Sequence, residues 1–120
     1  MPVQVGAKVE GHKAVRLALK GKSLKGKVRT RLNVGYEADH AARIHEDTEM
    51  FHENGEAKFL EKPARLYAGQ MGKIVKRKMI KKLSLEEATL AAGRFLLEKS
   101  QELVPVDTGE LVHSGFVTFD

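Results

Sequence analysis

Two consecutive helical stretches joined at one capping sequence constrain this chain more than any other feature. From Pro63 to Leu83, the residues Tyr67, Met71, Ile74, Val75 and Met79 recur at three- and four-residue spacings while lysines fill the other side. That is the pattern of an amphipathic helix. Pro63 suits its first turn, where a missing N–H costs nothing. Gly69 and Gly72 each cost roughly 1 kcal/mol against alanine in a helix interior, so they predict a bend or a close backbone approach. Ser84-Leu85-Glu86-Glu87 is a capping box, in which the Ser84 hydroxyl accepts the Glu87 N–H and Glu87 reaches back. It opens a second helix with Leu85, Ala88, Ala92, Phe95, Leu96 and Leu103 on one face, and Pro105 ends it.

Two such helices need an apolar surface to cover, and alternating segments elsewhere supply one. Val3, Val5, Ala7 and Val9 alternate with mostly polar residues and predict a strand. Ala14, Val15, Leu17, Ala18 and Leu19 predict a short helix stopping at Gly21. The glycine- and lysine-rich run 21–27 reads as an exposed basic loop. Val28, Thr30, Leu32 and Val34 then alternate with Arg29, Arg31 and Asn33, a strand with one wet, cationic face. A further strand is expected near Tyr36–Asp47. An acidic polar loop covers 47–56, with Asn54-Gly55 suited to positive φ. Phe116, Val117 and Phe119 mark a short strand within Val112–Phe119. The expected fold is α+β: one domain, 1–120, with a small antiparallel β-sheet packed against two long α-helices.

A chain of 120 residues, 42 % hydrophobic and 31 % charged, supports one modest core. No apolar run approaches the roughly 20 residues of a membrane helix, and Met1-Pro2-Val3-Gln4 lacks the start of a signal peptide. No membrane partner and no Sec export are expected. With no cysteine, disulfides, thiol catalysis and cysteine-ligated metals are excluded, which fits a reducing compartment. The net charge of +5 is distributed in blocks: +8 over 1–36, −6 over 37–61, +8 over 62–82 and −5 over 83–120. Alternating blocks predict separate positive and negative faces, either paired within the monomer or complementary between copies or with an acidic partner.

Few residues point to chemistry. Asp107-Thr108-Gly109 matches the active-site triplet of aspartic proteases, where two such loops share a proton. Only eleven residues follow Gly109, too few for the strands that brace such a dyad. Asp107 and Glu110 instead have capping-box spacing, with Asp107 bonding the N–H groups of a short helical turn. His40, His45 and His52 lie among carboxylates, but their spacing matches no metal motif. No phosphate-binding loop or nucleophile elbow occurs. No catalytic residue, cofactor or metal is therefore expected. Lys73, Lys76, Arg77, Lys78, Lys81 and Lys82 make a dense cationic helix face. Phosphate contact is open to it, although no base-reading or stacking element accompanies it.

Three segments together resemble tailed-bacteriophage minor capsid and tail-completion (neck) proteins. Val104-Pro105-Val106-Asp107-Thr108-Gly109-Glu110-Leu111, followed by His113-Ser114, is similar to that family's Pro-Val-Asp-Thr-Gly motif. Gly35-Tyr36 through His45-Glu46-Asp47 resembles its Tyr-Ala-x-x-x-His-Glu-Asp strand, and Gly55-Glu56-Ala57-Lys58-Phe59-Leu60-Glu61-Lys62-Pro63 its Gly-x-Ala-Lys-Phe-Leu-x-x-Pro block. In the family the Asp-Thr-Gly block comes first. Here it comes last, as in a circularly permuted chain. The resemblance implies a non-catalytic structural protein of the virion, assembled in the host cytoplasm at the head–tail junction. It implies a ring of six or twelve copies, contacts with other neck, connector or tail proteins, and DNA in the channel. Lys22, Lys25, Lys76, Arg77 and Lys81 are the expected interface cations, and Met50, Phe51 and His52 the candidate anchor into a neighbour. Asp107, Thr108, Gly109, Glu110, Ser84 and Glu87 are expected to be structural. The alternative is a basic nucleic-acid-binding accessory protein.

Overall fold

The computed structural model describes residues 3–8, 15–22, 29–48, 55–105 and 109–119, with β1 described by its backbone. Four strands, β1 (Val3–Lys8), β2 (Val15–Lys22), β3 (Arg29–Tyr36) and β4 (Gly115–Phe119), form one antiparallel sheet in the order β1-β2-β3-β4. The helices are α1 (Ala41–Glu46), α2 (Glu61–Leu66), α3 (Ala68–Ile80), α4 (Leu85–Gln101) and α5 (Glu110–His113). This is the expected α+β class, with α3 and α4 as the two longer helices. Among the described residues, no helix is long and apolar enough to cross a membrane.

The short helix expected over 14–19 is a strand instead. Its apolar residues fit both periods, since Val15, Ala18 and Leu19 mimic helical spacing. The strict alternation of Val15, Leu17, Leu19 and Gly21 with Arg16, Ala18, Lys20 and Lys22 matches a partner strand, however. Leu19 pairs with Leu32 and Leu17 with Val34, and all four are buried. Long-range pairing outweighed a weak local preference.

α4 lies along the sheet on small residues. Ala88, Thr89, Ala92 and Gly93 are buried, and a Cβ on Gly93 would come within 2.4 Å of Leu32 Cδ2. Its first turns sit over Gly21, whose added Cβ would meet Thr89 and Leu85. Its last turns reach Gly115 and Tyr36, where the buried Tyr36 hydroxyl donates to Ser100 Oγ at 2.8 Å. Burial pushes the Tyr36 phenol up to about 12, with the Ser100 bond opposing.

The helix expected from Pro63 onward starts at Glu61 and breaks at Tyr67, between α2 and α3. The bend does not fall at Gly69 or Gly72. Tyr67 takes φ −101° and ψ 12°, which lets its ring meet Phe95 edge-on at 5.5 Å, with the Lys99 ammonium 5.6 Å above it. This contact between helices sets the break. Ser84 caps α4 as expected, its hydroxyl accepting the Glu87 N–H at 3.1 Å.

At its other end α3 closes in a Schellman motif. The Leu83 N–H bonds the Lys78 carbonyl and the Lys82 N–H that of Met79, with Lys82 at φ +66°. Glycine is the favoured residue there. Lys82→Gly is expected to raise stability by about 0.5–1 kcal/mol, read as a higher urea midpoint at unchanged slope.

Two further expectations are corrected. The strand expected near Tyr36–Asp47 is α1, entered directly from β3, with Ala41, Ala42 and His45 on its buried side. The Val112–Phe119 strand is shorter, because 110–113 form α5 and β4 begins at Gly115. The N-cap of α5 is Gly109, at φ +83°. Asp107, proposed as that cap, and Thr108 lie outside the described residues.

The strand register also places the chain's two ends. Val3 pairs with Gly21, Gly21 with Thr30, and Leu32 with Phe119. Val3 and Phe119 therefore sit at the same end of the sheet, three strand spacings across and two residues along from each other, roughly 16 Å apart.

Candidate functional site

The sheet runs between two ends of opposite chemical character. At one end β2 leads toward β3. The short connection 81–84 turns α3 antiparallel to α4, so the C-terminal part of α3 lies at this same end. The expected interface cations Lys22, Lys76, Arg77 and Lys81 are all exposed and are gathered here. Lys20, Arg29, Arg31, Lys78 and Lys82 join them. Among the described residues, the acids nearby include Glu86 and Glu87 in the first turn of α4. Lys25 and the remainder of the expected basic loop over 23–27 fall outside the described residues; Gly21 and Lys22 belong to β2.

Within this basic end is an arrangement that the sequence reading missed. Lys20 pairs directly with Arg31 and Lys22 with Arg29 across β2 and β3. All four are exposed, on the sheet face opposite α4. Like charges directly opposed across a sheet destabilise it, by about 0.5 kcal/mol per pair. The strands β2, β3 and β4 contain no acid at all. The signal was present in the period-two pattern of 15–22. Reading that segment as a helix hid which cations would face each other.

The opposite end holds Glu37, Asp39, Glu46, Asp47, Glu56, Glu61, Glu98, Glu102 and Glu110. Several are bridged locally, Lys58 to Glu46 and to Glu61, Lys62 to Glu56 at 2.7 Å, and Lys99 to Glu102 at 3.8 Å. Exposed pairs of this kind contribute little to stability, and the nine acids outnumber Arg43, Lys58, Lys62, Arg65 and Lys99 around them, so the end is net acidic.

His45, which lies among carboxylates in the sequence, is buried at this end. Its ring meets Phe59 edge-on at 5.0 Å. Nδ1 lies 2.9 Å from Glu46 Oε1, and the Glu61 N–H donates to Nε2 at 3.2 Å. A neutral imidazole with its proton on Nδ1 satisfies both bonds. A second proton on Nε2 would break the Glu61 bond. Burial therefore holds His45 below its usual range, against the pull of Glu46. The hydrogen bond from Lys58 similarly lowers Glu46. The Nε2 bond ties α1 to the start of α2, while the Nδ1 bond stays within α1. Among the described residues, no group of three or more His, Asp or Glu could hold a metal ion.

The sign of the resulting pH dependence follows from proton counting. Below about pH 6.5 unfolded His45 binds a proton that the folded protein resists, so stability falls as pH drops from 7 toward 5. The Glu46 contribution is lost at still lower pH, below its usual carboxylate range. Thermal melts of His45→Gln should show a flatter profile between pH 5 and 7 than the parent. Parallel profiles would contradict this assignment.

The described part of the Asp-Thr-Gly segment serves packing. Ser114 Oγ donates to the Leu111 carbonyl at 2.8 Å, and the Glu37 N–H donates to the Ser114 carbonyl at 3.1 Å. The Glu37 bond fastens the end of α5 to the end of β3, and the Ser114 hydroxyl bond closes the last turn of α5. Glu110 sits exposed in the first turn of α5. Met50, Phe51 and His52, the expected anchor in the acidic loop, lie outside the described residues. No model of a known protein family matches the chain, no curated protein matches it in sequence, and no solved structure matches it in fold.

Proposed function

We propose that the chain is a non-catalytic structural subunit of a tailed-phage virion, placed at the head–tail junction as a tail-completion, neck or connector protein and repeated head to tail in a ring. The observation that carries this reading is the separation of charge. Sequence blocks of alternating sign fold into a basic end, with Lys22, Lys76, Arg77 and Lys81, and an acidic end built from α1, the 55–61 segment and the last turns of α4. A subunit with unlike ends favours a heterologous contact, and such contacts close into rings when the rotation allows. The use of 109–114 in packing α5 against β3 supports a structural role for the Asp-Thr-Gly segment.

Proteomics of purified particles tests the placement. The chain is expected in intact virions, and Asp107→Asn is expected to leave particle assembly unchanged. Absence from particles, or a peptidase activity abolished by that substitution, would overturn the reading.

A further inference from the structure

We infer that the free edge of β4 pairs with β4 of a second copy, joining two sheets into one through a twofold, antiparallel strand contact. β4 is the last strand of the sheet, and among the described residues no strand lies beyond it. One bond fixes the phase of its backbone. Glu37 and Ser114 extend the β3–β4 register by one residue, and the Glu37 N–H donates to the Ser114 carbonyl at 3.1 Å. Ser114 therefore turns toward β3, and by alternation so do the backbone groups of Phe116 and Thr118. Gly115, Val117 and Phe119 direct their N–H and C=O groups outward along the open edge. Edges of this kind are ordinarily blunted by charge, proline or a bulge. β4 reads Gly-Phe-Val-Thr-Phe, with no charge and no proline, and its register with β3 runs without a bulge.

The strand matches itself. With Val117 opposite Val117 of the second copy, Gly115 falls opposite Phe119 and Phe116 opposite Thr118. Every outward N–H and C=O of the strand then meets its complement, and no like charges are opposed. Phe119, 39 % exposed, lies over Gly115 of the second copy, where the missing side chain leaves room for a ring. Gly115, Val117 and Phe119 share the α4 side of the sheet, since Val117 Cγ1 is 3.3 Å from a Cβ placed on Gly93. On that side α4 presents Leu97 beside Gly115 and Leu90 two turns earlier, both half-buried. Any extended segment satisfies the edge backbone; the glycine-to-phenylalanine match and the absence of charge single out β4 itself. Five-residue strands with one apolar row fall short of the roughly 1,200 Å² of a stable interface. Isolated subunits therefore pair only when concentrated, with a Kd on the order of 100 µM. The contact does not use the charged ends. Each copy carries net +5, so salt strengthens the edge pairing by screening repulsion, the opposite of its effect on contacts between unlike ends.

Sedimentation equilibrium and amide hydrogen exchange at about 500 mM salt, where contacts between the ends are screened, test the pairing. The chain should be mostly dimeric near 1 mM and mostly monomeric near 10 µM, about the range that this Kd sets. The amides of Gly115, Val117 and Phe119 should exchange about fivefold more slowly in the concentrated sample, while those of Phe116 and Thr118 stay slow in both. Phe119→Lys should melt near the parent and remain monomeric when concentrated. Ile80→Lys makes the same change at a more exposed residue, 67 % against 39 %, and should dimerise as the parent does. Should Phe119→Lys fail to fold, the exchange pattern of the parent decides. A parent that stays monomeric when concentrated overturns the inference. So does a dimer that Phe119→Lys leaves intact, that Ile80→Lys also abolishes, or that leaves the three outward amides unchanged. Slow exchange of those amides in the dilute sample would show the edge covered within one chain and would contradict it equally. Failure of the ring shows at low salt and leaves these outcomes untouched.

Discussion

Phe59→Ala lowers the unfolding free energy by about 3–5 kcal/mol, the largest loss expected from any single truncation in this fold. Phe59 is fully buried, and its ring meets Tyr36 edge-on at 5.2 Å and His45 at 5.0 Å. Through Tyr36 it touches the end of β3, and through His45 it touches α1. Tyr36 in turn bonds Ser100 near the end of α4. One ring therefore joins the sheet, the long helix and the 55–60 segment. Removing it leaves a cavity bordered by two rings whose edge contacts are lost and by a hydroxyl and an imidazole already committed to other partners. A domain of this size has about 5–15 kcal/mol of total stability, so the variant should lose roughly 10–20 °C in melting temperature. A urea midpoint within error of the parent would mean that the acidic end does not depend on this cluster.

Gly35→Ala is the second large effect, at roughly 3 kcal/mol. An added Cβ at Gly35 would lie 2.3 Å from the Val15 carbonyl oxygen and 3.1 Å from Arg16 Cα. Both are backbone atoms of the neighbouring strand, so no rotation of a side chain relieves the clash. The β2–β3 pairing must spread near Arg16–Gly35, where β3 turns toward α1. Gly69→Ala provides the opposite case. Nothing lies within 4 Å of a Cβ at Gly69, which sits exposed in α3, and the substitution should stabilise by about 0.5–1 kcal/mol. The two measurements together separate crowding from backbone entropy.

The helical half of this fold was legible because its signals are local. Ser84 and Glu87 sit three residues apart and form their cap without help from the rest of the chain, and the apolar spacing of α3 and α4 repeats within a few turns. The sheet half was only partly legible. Residues 29–36 show clean alternation, whereas 15–22 fit a helix as well as a strand until Leu17 and Leu19 find Val34 and Leu32. The break at Tyr67 was hidden for the same reason: it depends on Phe95 and Lys99, about thirty residues later. The charge blocks predicted unlike faces, and the fold gathers them at opposite ends of the sheet. Which cations oppose one another is a matter of register, and register is long-range information. His45 shows a further limit, since neighbouring carboxylates in the sequence suggested exposure, while Phe59 and the Glu61 N–H bury it.

Native mass spectrometry of the chain across a salt series tests the head-to-tail account most directly. Closed assemblies of six or twelve 13.3 kDa copies are expected near 50 mM salt, dissociating as salt rises and unlike charges are screened. Reversing Lys76, Arg77 and Lys81 to glutamate should leave the subunit folded and monomeric. A chain that stays monomeric at every salt concentration, or assembles equally well with those three charges reversed, would contradict it.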